Sequence, residues 1–252
     1  MADARIKAVV LDLFDTIVEW NPAGLPRFEW RGREVRSTAP LLFKPLEAAL
    51  GEGFDRDAFL EMHESVIREI FAERAGDNPR EVTCYQRFER ILLRLGIDDA
   101  RARSLADELR RTHMGQVRAV TSAPPHRVEA VHRLKRAYRL GLLSNFDDSE
   151  TGHQIMQDTG VRDLFDAVVL SADLGLRKPS AGIFAAIAGM LALDPQEILF
   201  VGDTANEDVL GSKRAGMRAA WINRHGKPLP DGIPQPDIII ADLAELPGAL
   251  GL

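Results

Sequence analysis

Six short apolar runs, each ending in polar residues, constrain this chain more than any other feature. They are Lys7–Leu13 (KAVVLDL), Arg139–Asn145 (RLGLLSN), Asp166–Asp173 (DAVVLSAD), Ile198–Thr204 (ILFVGDT), Arg218–Asn223 (RAAWIN) and Asp237–Asp242 (DIIIAD). Runs of this length, rich in Val, Leu and Ile, have the pattern of strands buried on both faces. Between the later ones lie stretches of helical length, His126–Ala137, Ala181–Leu193 and Glu207–Gly216. The alternation predicts right-handed βαβ crossovers, hence an α/β chain whose parallel sheet carries helices on both faces. Ligands of such sheets bind beyond the carboxyl ends of the strands. Asp12, Ser144, Asp173 and Asp203 all sit at or just past those ends.

The rhythm breaks between residues 17 and 120. Alternation in Phe28–Ser37, centred on Arg31 and Gly32, predicts a small hairpin or flap. Helical patterns follow at Phe54–Gly76, with Asp55 placed to cap it, at Arg80–Gly96 and at Asp98–Gly115. No buried-strand run interrupts them. The simplest organisation is a core of residues 1–16 and 121–252 with an insertion at 17–120, a flap followed by helices, returning through Ser122–Pro125. Apolar positions on these helices, among them Phe59, Met62, Ile67, Ile70, Phe71, Phe88 and Leu92, have the spacing of internal packing. They leave monomer and homodimer both open.

Composition narrows the functional classes. A net charge of −6 without long runs of one sign argues against a nucleic-acid surface. Cys84 is the only cysteine, so neither an internal disulfide nor a thiolate zinc site can form. No stretch reaches the roughly 18 apolar residues of a membrane span. Asp12 and Asp15 break the first apolar run, which makes it a poor secretory segment. The expectation is a cytoplasmic protein acting on a small molecule.

Four short elements carry the chemistry. In Asp12–Thr16 (DLFDT), a carboxylate at a strand end before a tight turn can attack phosphorus or carbon, or simply cap the turn. Ser144 and Asn145 offer a hydroxyl and an exposed N–H suited to a phosphoryl oxygen or a carboxylate, and equally suit an ordinary turn. Lys178, between Arg177 and Pro179, can neutralise a nucleophilic carboxylate and developing substrate charge, or sit solvated before a helix. Asp203 and Asp208 straddle a strand end and the next helix start. Such hard oxygen ligands suit Mg²⁺, and Asp203 equally suits a simple helix N-cap, though that leaves Glu207 and Asp208 unexplained.

In this order and spacing the four elements resemble the haloacid dehalogenase-like superfamily, over residues 6 to about 245. The resemblance implies a Rossmann-like parallel sheet with an all-helical cap inserted after the first motif. It implies Asp12 as nucleophile of a hydrolase working through an aspartyl-enzyme intermediate. Mg²⁺ would be held by Asp12, the Phe14 carbonyl and Asp203, with Asp208 in support. Thr16, Ser144, Asn145 and Lys178 would surround the transferred group.

The chain departs from the phosphatases of that superfamily at one position. They carry a second Asp two residues after the nucleophile, as acid and then base; here that residue is Phe14. Asp15 stands one place further on, where a side chain leaves the strand in a different direction. Glu29, Glu34 and His63 are candidates from the insertion. An aromatic at this position resembles the metal-independent haloacid dehalogenases, in which Asp attacks carbon and halide leaves unprotonated. Those enzymes typically have a Ser-Ser-Asn-type sequence where this chain has Gly202–Ala205, and a tyrosine where it has Phe184. Arg31, Arg33 and Arg36 would cradle halide, carboxylate or phosphate alike. The expectation is a Mg²⁺-dependent phosphatase. The alternatives are a carbon–halogen hydrolase and a binding or regulatory protein that has lost turnover.

Overall fold

A computed structural model describes residues 5–76 and 78–252. The chain divides into two compact units, one of residues 1–19, 76–81 and 122–252, the other of residues 20–75 and 82–121. The short segment 76–81 therefore lies with the first unit although it falls inside the expected insertion.

In the first unit the six apolar runs form one parallel sheet. Its order is Ile238–Ile240, Arg218–Ile222, Ile198–Gly202, Ala8–Leu11, Arg139–Ser144, Ala167–Leu170. The first strand is central, with Val10 opposite Gly141 on one side and Phe200 on the other. All four of its residues are fully buried, as their uninterrupted apolar character requires. Helices Pro125–Lys135, Ser149–Asp158 and Ala181–Leu191 join successive strands. The last of these buries Ile183, Phe184, Ile187 and Leu191 against Val10, Leu143 and Phe200. Gly141 has no side chain because a Cβ there would already touch Val10, Leu191 and Ile187 at 3.0–3.3 Å.

The second unit holds the hairpin, strands Arg27–Trp30 and Arg33–Arg36 paired antiparallel, and four helices. Three are those read from periodicity, Arg56–Glu73, Cys84–Arg94 and Asp99–Ala119. Asp55 caps the first through Asp57 N and Ala58 N, and a reciprocal Thr83–Gln86 pair caps the second. The fourth, Ala39–Leu50, was not anticipated, because Pro40 and Pro45 mask its apolar spacing. Phe59, Ile70, Phe88 and Leu92 are buried, as internal packing requires, whereas Phe71 is 65% exposed. No described helix is long and apolar enough to cross a membrane.

Candidate active site

The chemistry starts at the end of the central strand. Asp12 N donates to Val201 O at 2.9 Å, extending the ladder by one residue, and the chain then turns sharply. Ile17 N and Val18 N both donate to Leu13 O, and Asp15 N donates to Val18 O at 2.7 Å. Closing this turn puts Asp15 at φ +55°, a conformation uncommon for a residue with a side chain. Thr16 is fully buried, and its hydroxyl has no hydrogen-bond partner within the protein. Such an orphaned group is costly unless a ligand engages it. Phe14 packs its ring on Phe146, with centroids 4.9 Å apart.

Three carboxylates gather here, two of them on one lysine. Lys178, for which the local sequence by itself favours a solvated position, is 1% exposed. Its Nζ lies 3.0 Å from Asp12 Oδ1 and 2.7 Å from Asp208 Oδ1. The other oxygen of Asp208 accepts from Thr204 N at 2.9 Å. Asp203 joins them: ligand oxygens of Asp12, Asp203 and Asp208 all lie within 4.8 Å of one another. Burial works against the Lys178 ammonium, but Asp12 and Asp208 outweigh it and hold its pKa above the ordinary lysine range. Burial, with the charges of Asp12 and Asp15, pushes Asp203 up to about 6. Burial also raises Asp208, against the pull of Lys178. Fully ionised, three carboxylates and one ammonium would leave two uncompensated negative charges, and the raised carboxyls record that strain. A divalent cation fits that donor set and that deficit, and oxygen donors of this kind suit Mg²⁺.

The remaining sequence candidates divide between this cluster and other places. Ser144 is buried at the end of Arg139–Ser144. Asn145 is a framework residue: Nδ2 donates to Lys178 O at 3.1 Å and to Glu207 Oε2 at 2.8 Å, and Oδ1 accepts from Lys178 N at 2.7 Å. Its amide protons are thus spent on the lysine loop and on Glu207. This also accounts for Glu207 beside Asp208. The arginines of the hairpin are not gathered into one cradle. Arg31 pairs with Glu61 and Glu64 and lies over the Trp30 ring, Arg36 bonds the carbonyls of Ala23 and Leu25, and Arg33 is exposed. Glu29 and Glu34 face each other in the hairpin register. His63 packs among Phe59 and Phe88 in the second unit.

One residue escaped the sequence reading, Arg224, and another, Asp15, was set aside by it. A cleft of about 320 Å³ in the first unit is lined by Asp15, Asp203, Trp221, Asn223 and Arg224, among others. Asp15 thus lines the same cleft as Asp203, and its charge is felt there. Arg224 secures the turn, Nη2 donating to Asp15 O at 2.6 Å and Nη1 to Glu19 Oε1 at 3.2 Å. No local pattern announces either contact, since Arg224 lies more than 200 residues from its partners.

Known proteins resemble this chain in sequence and in fold. A pyrimidine 5'-nucleotidase of Escherichia coli is 33% identical over 123 residues, 48% of this chain and 54% of that protein. The matched stretch thus spans about half the length of that relative. A phosphoserine phosphatase of Thermus thermophilus is 27% identical over 96% of this chain and 98% of its own. The fold is shared with a 2-haloacid dehalogenase of Pseudomonas syringae pv. tomato, at TM-score 0.70 and 23% identity over 98% of each chain. Residues 6–216 match the family described as haloacid dehalogenase-like hydrolases. With that match over most of its length, and the parallel sheet that carries the acid cluster, the chain belongs to the haloacid dehalogenase-like hydrolases.

Proposed function

We propose that this hydrolase is a Mg²⁺-dependent phosphatase of small phosphorylated metabolites, with Asp12 as nucleophile. The observation that carries the reading is the doubly negative cluster of Asp12, Asp203 and Asp208 around buried Lys178. Asp12, Asp203 and the Phe14 carbonyl would hold Mg²⁺, with Asp208 in support. Bound there, the ion supplies electrostatic stabilisation of a transferring phosphoryl group. An Asp12 oxygen forms a bond to phosphorus as the bond to the leaving oxygen breaks. Lys178 offsets charge gathered on the phosphoryl oxygens, and the Thr16 and Ser144 hydroxyls are placed to bond them. Asp15 hands its proton to the leaving oxygen, then takes one from the water that attacks phosphorus and frees Asp12. The inserted unit is read as a cap that selects the substrate. The names of the full-length and half-length relatives, a phosphoserine phosphatase and a nucleotidase, support phosphate esters as the substrate class.

Carbon–halogen hydrolysis is the second reading, favoured by Phe14 in place of an acid. Asp203 counts against it, because that carboxylate repels an anionic haloacid unless a cation intervenes.

Phosphate release from an aryl and an alkyl phosphate, each with Mg²⁺ and with chelator, tests the proposal. Asp12→Asn should abolish turnover of both. Asp15→Asn should slow turnover of both esters by about 10²–10⁴-fold, because the water step is common to them, and should spare only the initial burst from the aryl ester, whose leaving group departs without a proton. Full activity of Asp12→Asn, or halide release from a 2-haloacid in chelator, would sink it.

A further inference from the structure

The segment 76–81 falls between two helices of the second unit yet lies with the first. Its bonds there concentrate on one loop, the one that carries Lys178. Glu81 N donates to Gly175 O at 3.1 Å, Arg177 N donates to Pro79 O at 3.2 Å, and Arg80 bridges Leu176 in antiparallel register. On the far side of the lysine, Ser180 Oγ donates to Asn78 Oδ1. Side chains reinforce this strap. The Glu81 carboxylate is wholly buried and accepts from Arg177 Nη1 and Ser171 Oγ. Ser171 Oγ also bonds Phe146 O at 3.1 Å, on the loop whose aromatic ring packs on Phe14.

A buried carboxylate is costly to desolvate, and an apolar pair of equal volume would serve stability as well. Its partners here are the residue preceding Lys178 and a serine of the adjoining turn. The lysine has little freedom of its own, because Asn145 grips its N–H and its carbonyl from the opposite side. The loop is thus held between Asn145 and the strap. The result is an ammonium 3.0 Å from Asp12 and 2.7 Å from Asp208.

We infer that Glu81 is a positioning residue for Lys178, acting through Arg177 and the strap of residues 78–81. The inference rests on the phosphatase reading for the role of the lysine, and not for the geometry of the loop. Displacing a charge by about 1 Å in such a site costs up to about 10²-fold in rate.

The experiment compares Glu81→Gln, Asn78→Ala and Lys178→Ala, and the Glu81→Gln/Lys178→Ala double variant, on an aryl phosphate with Mg²⁺. Glu81→Gln should lower kcat by about 10- to 100-fold with KM within about twofold. Asn78→Ala should act in the same direction and less. In the Lys178→Ala background Glu81→Gln should add nothing, because its effect passes through the absent amine. Amide exchange should quicken at Arg177 and Ser180 in both strap variants, with or without substrate. Unchanged kcat in the strap variants, an additive double variant, or unaltered exchange would overturn the inference. If Glu81→Gln does not fold, Asn78→Ala decides by the same readouts. A wild-type protein without turnover would instead remove the phosphatase reading, and exchange alone would still judge the strap.

Discussion

Gly202 illustrates how closely the site is packed at single residues. It ends the strand that delivers Asp203, and a Cβ built on it would stand 2.2 Å from Asp208 Oδ2. No rotation of a side chain relieves that overlap without moving the carboxylate off Lys178. Gly202→Ala should therefore destabilise the fold by about 1–3 kcal/mol and weaken Mg²⁺ binding together. Urea unfolding and a Mg²⁺ titration would check it, and wild-type affinity in a stable variant would refute the packing argument. At this scale the place of Asp12 at the end of a buried strand was legible, because an uninterrupted apolar run that stops at a carboxylate marks that end. The solvated and buried readings of Lys178 were not separable from sequence. Its neighbours Asp12 and Asp208 lie in other segments, and only their convergence buries it.

Among the elements, the helices of the second unit carry a pH dependence of their own. His63 and His113 flank the Phe88 ring, and Thr38 Oγ1 lies 2.6 Å from His113 Nδ1. Burial, with Arg87 nearby, lowers His63 to about 4 and drives His113 well below the ordinary value of 6.5. Below pH 6.5 the unfolded chain takes up protons that these folded imidazoles refuse. Stability is therefore intact above about pH 6.5 and falls as pH drops toward 4, by about 1.4 kcal/mol per pH unit for each histidine. Urea midpoints from pH 7 to 5 at saturating Mg²⁺, which keeps the acid cluster of the first unit ionised, should decline. His63→Gln should flatten that decline, and an identical slope would contradict the assignment. Three of the four helices here were readable from spacing and caps. Ala39–Leu50 was not, since two prolines break the local signal and burial of Ala39, Leu42 and Leu46 outweighs them.

For the whole molecule, the proposed Mg²⁺ site predicts a stability that depends on metal, because an ion there would offset the charge of the acid cluster. An ion bound only by the folded state adds about 2.7 kcal/mol at one hundred times its dissociation constant, or about 5–10 °C for a chain of this size. Mg²⁺ should raise the thermal midpoint by that order, chelator should reverse it, and Asp203→Asn should abolish it. A wild-type midpoint indifferent to Mg²⁺ would mean that the three carboxylates hold no ion. The six strands, their parallel pairing and the strand-end acids were legible in the sequence alone, because burial on both faces leaves an unbroken apolar run that can be read locally. Strand order, the return of residues 76–81 to the first unit and the grip of Asn145 on Lys178 were decided only by the tertiary structure. So was the closure of the turn at Asp15, with its φ of +55°, which is completed by Arg224 from the far end of the chain. These are long-range contacts, whose energies depend on which segments meet and leave no periodic signature where each segment is read.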